Sequence, residues 1–316
     1  MVIEVKDLHK SYGNLKAVDG VEFNVYRGEV FSILGPNGAG KTTTVEIMEC
    51  LRKPTYGTVT VLGFNVHDQA KEIKRRVGIL PQDFNTYDRL TVRENIEYFG
   101  GLYDRSVPTQ ELLDAVNLNS KRDELFKNLS GGLKQRVGVA IAMVNDPEII
   151  FLDEPTTGLD PKARREVWEV VRGLKARGKT VILTTHYMEE AEVLSDRLAI
   201  MDGGRFIAYD APKTIVQQYG GASVCIIRGA GMDALRVLAA TGFEVETVDG
   251  DVQCKMQDRS SLPKLVLVLE DNKLDYTEIL MKRSTLEDVF LKLTGKRIGE
   301  DEVPENLSKK KRRWRK

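Results

Sequence analysis

The sequence contains few of the residues on which several classes of protein depend. Three cysteines occur among the 316 residues, at positions 50, 225 and 254, and no two lie close enough in sequence to suggest a metal or redox pair. This predicts a chain that works in a reducing, cytoplasmic setting. The apolar runs are far shorter than the roughly 18 residues needed to cross a membrane. Residues 1–7 also lack the basic and then apolar pattern that is typical of a secretory signal.

An overall excess of basic charge is absent as well, because 47 basic and 47 acidic side chains give a net charge of zero. Seven of the basic residues are concentrated in residues 309–316, so the rest of the chain has 40 basic against 47 acidic residues. An acidic main body argues against a nucleic-acid partner. Two main interpretations of the basic tail, which contains Trp314, stay open: a solvated, disordered segment or a contact with an anionic membrane surface. Nucleic-acid binding by the tail is the least favoured interpretation.

The first part of the sequence alternates short apolar runs with helical patterns. The apolar runs are 30–34, 77–80, 149–152 and 181–184, and the helical patterns are 42–51, 91–103, 132–144 and 161–175. This order predicts an α/β fold with a mainly parallel sheet that is covered by helices. Residues 2–5, 21–25 and 58–62 alternate instead, which favours an antiparallel β subdomain at the N-terminus. A hairpin is predicted around residues 202–204.

The pattern changes after Gly220 and Gly221. The predicted order from there is strand, helix, two hairpin strands, helix, strand and a last helix. This order predicts a small α+β domain of ferredoxin-like type. We therefore expect a first domain over residues 1–219 and a second over 220–296. Residues 297–316, acidic and then basic, are expected to be disordered.

A phosphate-binding pattern, G-x-x-x-x-G-K-[ST], lies between a predicted strand and a predicted helix. This phosphate loop, residues 35–43, consists of Gly35, Pro36, Asn37, Gly38, Ala39, Gly40, Lys41, Thr42 and Thr43. Its glycines allow successive backbone N–H groups to converge on phosphate oxygens. Lys41 would neutralise the β and γ phosphates, and Thr42 would ligate Mg²⁺. The loop predicts binding of a nucleoside triphosphate.

Two carboxylates, Asp153 and Glu154, end the apolar run at 149–152. Buried parallel strands deliver their carboxyl ends to the ligand site in folds of this class. Asp153 is suited to hold Mg²⁺ through water, and Glu154 to polarise the attacking water as a catalytic residue. Taken alone, the pair is equally compatible with a cap of the turn at Pro155. Together with the phosphate loop, it indicates a hydrolytic site.

The segment that separates this chain from other phosphate-loop proteins is Leu129-Ser130-Gly131-Gly132-Leu133-Lys134-Gln135-Arg136. This signature segment, residues 129–136, resembles the LSGGQ signature of ABC-family ATPases, with Leu133 in place of the usual glutamine. The resemblance implies that Ser130, Gly131, Gly132 and Gln135 face a nucleotide held by the opposing subunit. A nucleotide kinase or GTPase would leave this segment without explanation.

The same resemblance implies roles for further residues. Tyr12 would stack on the adenine, and Gln82 would reach Mg²⁺ and the attacking water and sense the membrane subunit. His186 would contact the γ-phosphate, and Leu159-Asp160 would cross the dimer interface. His9 and His67 match no family position, and structural roles are expected for them.

The family resemblance covers about residues 1–215 and implies a P-loop ATPase core with an α-helical subdomain at about 84–146. ATP and Mg²⁺ are the implied ligands, and a second copy or a paralogous subunit is the implied partner. A transmembrane permease would dock near Gln82 and residues 84–97, which would hold the chain at the cytoplasmic face of the cell membrane.

Residues 284–295 resemble the closing segment of drug-resistance and sodium-export ABC subunits, which favours an exporter. A soluble ABC ATPase that remodels a protein or nucleic-acid complex is the alternative.

Overall fold

The computed structural model describes residues 1–256 and 260–295. The basic tail and the acidic segment before it lie outside the described residues. The described chain divides between Pro212 and Lys213 into two compact units. The change in sequence pattern predicts the division between residues 219 and 220; the residues in between belong to a single helix, Pro212–Tyr219. No helix in the described part of the chain is long and apolar enough to cross a membrane.

The first unit begins with an antiparallel sheet, as predicted. Its strands are β1 (Ile3–Tyr12), β2 (Leu15–Val25), β4 (Tyr56–Val61) and β5 (Phe64–Asn65), in the spatial order β2-β1-β4-β5. Both β1 and β2 are longer than predicted, because exposed polar residues interrupt the apolar alternation near the hairpin. The turn between them uses Gly13 at a φ of +58°, so Tyr12 ends β1 at this tip.

A six-stranded, mainly parallel sheet forms the centre of the first unit. Its strands are β3 (Val30–Leu34), β6 (Val77–Leu80), β7 (Ile149–Asp153), β8 (Thr180–Thr185), β9 (Arg197–Asp202) and β10 (Arg205–Asp210). The order is β10-β9-β3-β8-β7-β6, and only β10 is antiparallel to its neighbour. The carboxyl ends of the parallel strands therefore share one edge, to which β3, β6, β7 and β8 deliver the segments that follow them.

Helices lie between these strands in the chain. They are α1 (Lys41–Met48), α2 (Ala70–Lys74), α3 (Val92–Gly100), α4 (Thr109–Ala115), α5 (Gly131–Ala142), α6 (Pro161–Ala176) and α7 (Met188–Leu194). Asp160 caps α6 through the N–H groups of Lys162 and Ala163, as predicted. The predicted helix at 42–51 is too long, because α1 ends at Met48 and Cys50 has a φ of +59°. The short elements β5, α2, α4 and α7 were not predicted.

The second unit starts with α8 (Pro212–Tyr219), most of which belongs to it. The elements that follow are β11 (Ser223–Arg228), α9 (Met232–Ala240), β12 (Val245–Val248), β13 (Asp251–Met256), α10 (Ser261–Asp271), β14 (Glu278–Lys282) and α11 (Leu286–Thr294). The antiparallel sheet has the order β12-β13-β11-β14, which is the β-α-β-β-α-β arrangement of ferredoxin-like folds. Thr285 caps α11, and Gly295 follows it at a φ of +70°.

Candidate active site

The phosphate loop connects β3 to α1 at the carboxyl edge of the central sheet. Two of its glycines are required by close backbone approach. A Cβ on Gly35 would lie 2.2 Å from the carbonyl oxygen of Met201, and one on Gly40 would lie 2.2 Å from that of Ala17. Gly40 also has a φ of +104°, which favours glycine. The loop therefore takes a fold that only this glycine pattern permits.

Lys41 is held inside the site, with only 4% of its surface exposed. Its Nζ donates to the carbonyl oxygens of Gly35 at 2.8 Å and Pro36 at 3.2 Å. The same ammonium group lies 3.1 Å from Oε1 of Glu154. A buried ammonium must be paired, and here the loop carbonyls and one carboxylate satisfy it. The cation therefore lies at the loop that is suited to phosphate.

Thr42 and Asp153, two of the three predicted Mg²⁺ ligands, are neighbours in space. Their side-chain oxygens Oγ1 and Oδ1 are 3.4 Å apart. The hydroxyl of Thr184 also donates to Oδ1 of Asp153. Burial raises the pKa of the Asp153 carboxyl, although the hydrogen bonds from Thr184 and Thr42 act in the opposite direction. The Thr42 hydroxyl and the Asp153 carboxyl both offer hard oxygen ligands, the type that Mg²⁺ prefers.

Glu154 is the point on which the other predicted catalytic side chains converge. Its Oε2 accepts hydrogen bonds from Nε2 of Gln82 at 3.3 Å and from the hydroxyl of Thr157 at 3.0 Å. Nδ1 of His186 lies 3.1 Å from the same oxygen. The backbone of Glu154 has a φ of +48°, an unusual conformation for a residue with a side chain and one that is concentrated at functional sites.

The charge state of Glu154 follows from these contacts. Burial alone would raise the pKa of its carboxyl, but the hydrogen bond with His186 and the charge of Lys41 outweigh burial and lower the pKa to about 2. The carboxyl is therefore ionised at neutral pH. A second buried carboxyl, Glu49 at the end of α1, behaves in the opposite way. Burial, together with the charges of Asp153 and Glu46, raises the pKa of Glu49 to about 8.

A cavity of about 430 Å³ lies in front of these groups. Residues 37–43 of the phosphate loop line it together with Tyr12, Gln82 and Glu154. The ring of Tyr12 is 40% exposed, with the Lys10 ammonium 5.0 Å from its centre. Leu15 and Ala17 add apolar surface beside the ring. The cavity thus has an aromatic, apolar end and a cationic, glycine-rich end, which suits a nucleotide.

The signature segment does not line this cavity. Ser130 occupies the N-cap position of α5, yet it is exposed and its side chain makes no capping hydrogen bond. A Cβ on Gly132 would lie 2.7 Å from that of Ala163, so this glycine lets α5 pack closely against α6. Gly131 lies beside Leu159 of the predicted interface loop, and Gln135 is half-buried within α5. Within the single chain, the structure therefore does not bring the predicted signature residues together with the phosphate loop and Glu154.

Three polar side chains near the site were not predicted. Thr157 follows Glu154 by one turn, and a spacing of three residues is a recognisable signal for such a contact. Thr184 follows the apolar run 181–183 near the carboxyl end of β8, which is also a usable signal. The sequence contains no such signal for Glu49, because an acidic residue in a helix pattern is normally interpreted as exposed.

Comparison with known proteins decides the family. The family described as ABC transporter matches residues 18–157. The chain is 40% identical over 304 residues to "Nod factor export ATP-binding protein I" of Ralstonia nicotianae, a match that covers 94% of this chain and 95% of the relative. It is 41% identical over 302 residues to the protein of the same name from Paraburkholderia xenovorans, covering 94% and 98%. The chain belongs to the ATP-binding proteins of ABC transporters.

Solved structures of ABC ATPases agree with this assignment. A dimeric ATP-binding cassette in a post-hydrolysis state, bound to ADP and Pi, has 31% identity and a TM-score of 0.60, and the match covers 66% of this chain and 98% of that one. An ATP-binding subunit of an ABC transporter has 30% identity and a TM-score of 0.61, covering 76% and 100%. This ABC ATPase is therefore an ATP-hydrolysing transporter subunit of a family whose cassettes dimerise and work with a membrane permease.

Proposed function

We propose that Glu154 is the carboxylate that polarises the attacking water when this ABC ATPase hydrolyses ATP. The observation that carries the proposal is the convergence of Lys41, Gln82 and His186 on that single buried carboxylate. Adenine would lie against Tyr12, and the phosphates would lie in the phosphate loop. Water would then attack the γ-phosphorus on the side of Glu154 and His186.

The pairing of Lys41 with Glu154 suggests how binding prepares the site. Phosphate oxygens would compete for the Lys41 ammonium and draw it away from the carboxylate. The lysine charge is one of the causes that lower the pKa of Glu154, so its departure makes this carboxylate a stronger base. Nucleotide binding would therefore activate the residue that acts on water.

Thr42, Asp153 and Gln82 are proposed to hold Mg²⁺. No three histidine, cysteine, aspartate or glutamate side chains cluster as a metal site within the described ranges, so the phosphates would have to supply further ligands. This fits the preference of Mg²⁺ for a few protein oxygens plus phosphate and water. The ion would neutralise charge on the β and γ phosphates. The chain itself contributes the oxygens of Thr42 and Asp153, already 3.4 Å apart.

The complete site is proposed to form between two subunits. Each signature segment would meet the nucleotide that is bound by the phosphate loop of the other subunit. Ser130 and the glycines beside it open a helix of twelve residues, which presents N–H groups and a positive dipole end to phosphate. The partner is a second copy or a paralogous subunit. Both predicted halves are present in this chain, so a homodimer is chemically possible.

We propose that the permease docks beside Gln82 on residues 84–97. Tyr87 in this segment and Tyr98 directly after it are both about half exposed, and their ring centres are 4.8 Å apart. They border a largely apolar hollow of about 420 Å³ together with Asp88, Arg89 and Leu90. An exposed aromatic patch of this kind is typical of protein interfaces.

Docking would place this ABC ATPase at the cytoplasmic face of the cell membrane, and the names of the relatives favour export. The comparisons give no support to the alternative of a remodelling ATPase. Contact of the basic tail with the membrane surface stays a prediction, as does the absence of a nucleic-acid partner. Docking is testable by co-expression with the membrane subunit. Tyr87→Asp with Tyr98→Asp should abolish recovery of the chain with membranes; unchanged recovery would contradict the docking site.

The role of Glu154 is tested by turnover. Glu154→Gln keeps the size of the side chain but removes its negative charge, so ATP hydrolysis should fall about 100-fold or more while nucleotide affinity is retained. Glu189→Gln, an exposed substitution three residues after His186, is the matched control and should retain full turnover. Phosphate release by Glu154→Gln at the rate of the control would remove Glu154 from this role.

A further inference from the structure

A carboxylate that none of the predicted motifs contains is fully buried behind the site. Glu190 lies on α7 and has 0% of its surface exposed. Its Oε1 accepts hydrogen bonds from the hydroxyl of Thr156 at 2.7 Å and from Nε1 of Trp168 at 2.9 Å. Thr185 interacts with the same carboxyl group. A buried carboxyl is costly unless donors satisfy it. Among the described residues, Oε2 of Glu190 has no hydrogen-bond partner, so the donors that reach Oε1 constrain the elements that supply them.

Two of these three partners, Thr156 and Thr185, come from the segments that carry the catalytic side chains. Thr156 follows Glu154 by two residues, and its chain continues directly into the predicted interface loop at Leu159. Thr185 immediately precedes His186, and Glu190 follows it within one helical turn. The carboxylate of Glu190 therefore connects the segment that bears Glu154 to the segment that bears His186.

A second set of contacts ties the His186 segment to α6. The guanidinium of Arg164, on α6, lies 3.9 Å from the centre of the Tyr187 ring, a cation–π contact. The Tyr187 ring lies 4.2 Å from the ring of His186. Trp168, which also donates to Glu190, lies on the same helix. Because α6 starts at the end of the interface loop, the buried carboxylate links that loop to both catalytic segments.

We propose that Glu190 is a positioning residue that holds Glu154 and His186 at the mutual distance that hydrolysis requires. The inference rests on the proposed function of these two residues. Glu190 is fully buried and does not line the nucleotide cavity, and it acts through Thr156 on one side and through the start of α7 on the other. A small displacement of one catalytic segment relative to the other is enough to lower turnover strongly.

Two substitutions that remove one donor each from the same oxygen test the proposal. Thr156→Val breaks the link to the Glu154 segment, so kcat should fall between about tenfold and 100-fold with little change in KM for ATP. Trp168→Phe removes the donor on α6, away from both catalytic segments, and is the matched control. It should lower Tm to a similar extent but leave kcat within about twofold of the parent.

The carboxylate itself supplies the second arm of the test. Glu190→Gln retains an acceptor oxygen for Thr156 and Trp168 and should retain most of the parent kcat, whereas Glu190→Ala should lose it as Thr156→Val does. If kcat falls in proportion to Tm in both Thr156→Val and Trp168→Phe, the positioning role is overturned and Glu190 has a purely structural role. Equal kcat in Glu190→Ala and the parent would also overturn it. Glu154→Gln is measured in parallel: full activity there would refute the proposed function, whatever the Glu190 variants do.

Discussion

The phosphate loop and the signature segment are both glycine-rich starts of a helix, but their surroundings differ. In the phosphate loop, Lys41 is buried, bonded to two carbonyl oxygens and paired with Glu154. In the signature segment, Ser130 is exposed and makes no capping hydrogen bond. The first segment lines the nucleotide cavity, and the second does not.

The two segments also differ in the charged and metal-binding groups that surround them. Both segments offer N–H groups and a helix dipole to an anion. The phosphate loop finds its counter-charges and its metal-binding oxygens within the same chain. At the N-terminal end of the signature segment, Ser130 is exposed and makes no capping hydrogen bond. The buried cation of this segment, Arg136, pairs instead with Glu166 on α6 at 3.2 Å, and Gly132 lets α5 pack closely on α6. One half of the site is therefore organised in the single chain, and the other half, as proposed above, would meet a nucleotide held by a second subunit.

The largest expected effect is the loss of the lysine of the phosphate loop. Lys41→Ala should reduce ATP hydrolysis about 100-fold or more, because it removes the charge that stabilises the transferred phosphoryl group. Lys134→Ala is the matched change in the signature segment, where the ammonium lies 5.1 Å from the centre of the Phe126 ring. It should have a much smaller effect on phosphate release. Similar losses in both variants would break the comparison.

Glycine substitutions compare the packing of the two segments. Gly35→Ala should destabilise the protein by about 3 kcal/mol, because its Cβ would meet backbone oxygen at 2.2 Å. Gly131→Ala should be close to neutral, because the nearest atom is the end of the flexible Leu159 side chain at 3.1 Å. Urea unfolding measures both. A larger loss for Gly131→Ala would show that the signature segment is the more constrained of the two.

Buried charge near the phosphate loop makes stability depend on pH. The pKa of Glu49 is raised from 4.5 to about 8, so its stabilising contribution is present below pH 4.5 and is lost as pH rises through 8. The parent should lose on the order of 2 kcal/mol more than Glu49→Gln between pH 6 and pH 9. Glu154, whose pKa is lowered from 4.5 to about 2, contributes stability that is lost as pH falls through that range. Thermal melting across pH checks both signs, and parallel pH curves for parent and Glu49→Gln would contradict the first.

The smallest expected effect is at the adenine end of the cavity. Tyr12→Ala should weaken nucleotide binding about five- to tenfold, whereas Tyr12→Phe and Tyr12→Trp should retain most of it, because a ring face would meet the base. A nucleotide titration of the three variants decides this. Equal weakening by Phe and Ala would assign the contribution to the hydroxyl group instead.

Much of the site was predictable because its parts are local in sequence or follow from parallel topology. The phosphate loop is one contiguous pattern between a strand and a helix. Asp153 ends β7 and His186 directly follows β8, and parallel strands bring their carboxyl ends to one edge. The ferredoxin-like order of the second unit was predictable for the same reason, since each element has its own hydrophobic period.

Other features depend on tertiary packing and left no local signal. Glu49 and Glu190 look like solvent-facing acids of short helices, and only the assembled structure shows that both are buried. The full length of β1 and β2 was missed because backbone pairing across the hairpin continues through exposed polar residues. The end of α1 before Cys50 was missed because the apolar pattern continues to Leu51, where the chain has already turned.

The central claim is that the two segments complete each other only between subunits. Glu154→Gln protein should be monomeric without nucleotide and dimeric with ATP but not with ADP, because ATP still binds and hydrolysis no longer reopens the pair. Adding Ser130→Arg, which places a bulky side chain at the expected position of the opposing γ-phosphate, should abolish this dimer. Size-exclusion chromatography with light scattering measures the mass in each case. A Glu154→Gln protein that stays monomeric at saturating ATP would contradict a homodimeric site, and a dimer that survives Ser130→Arg would contradict the role of the signature segment.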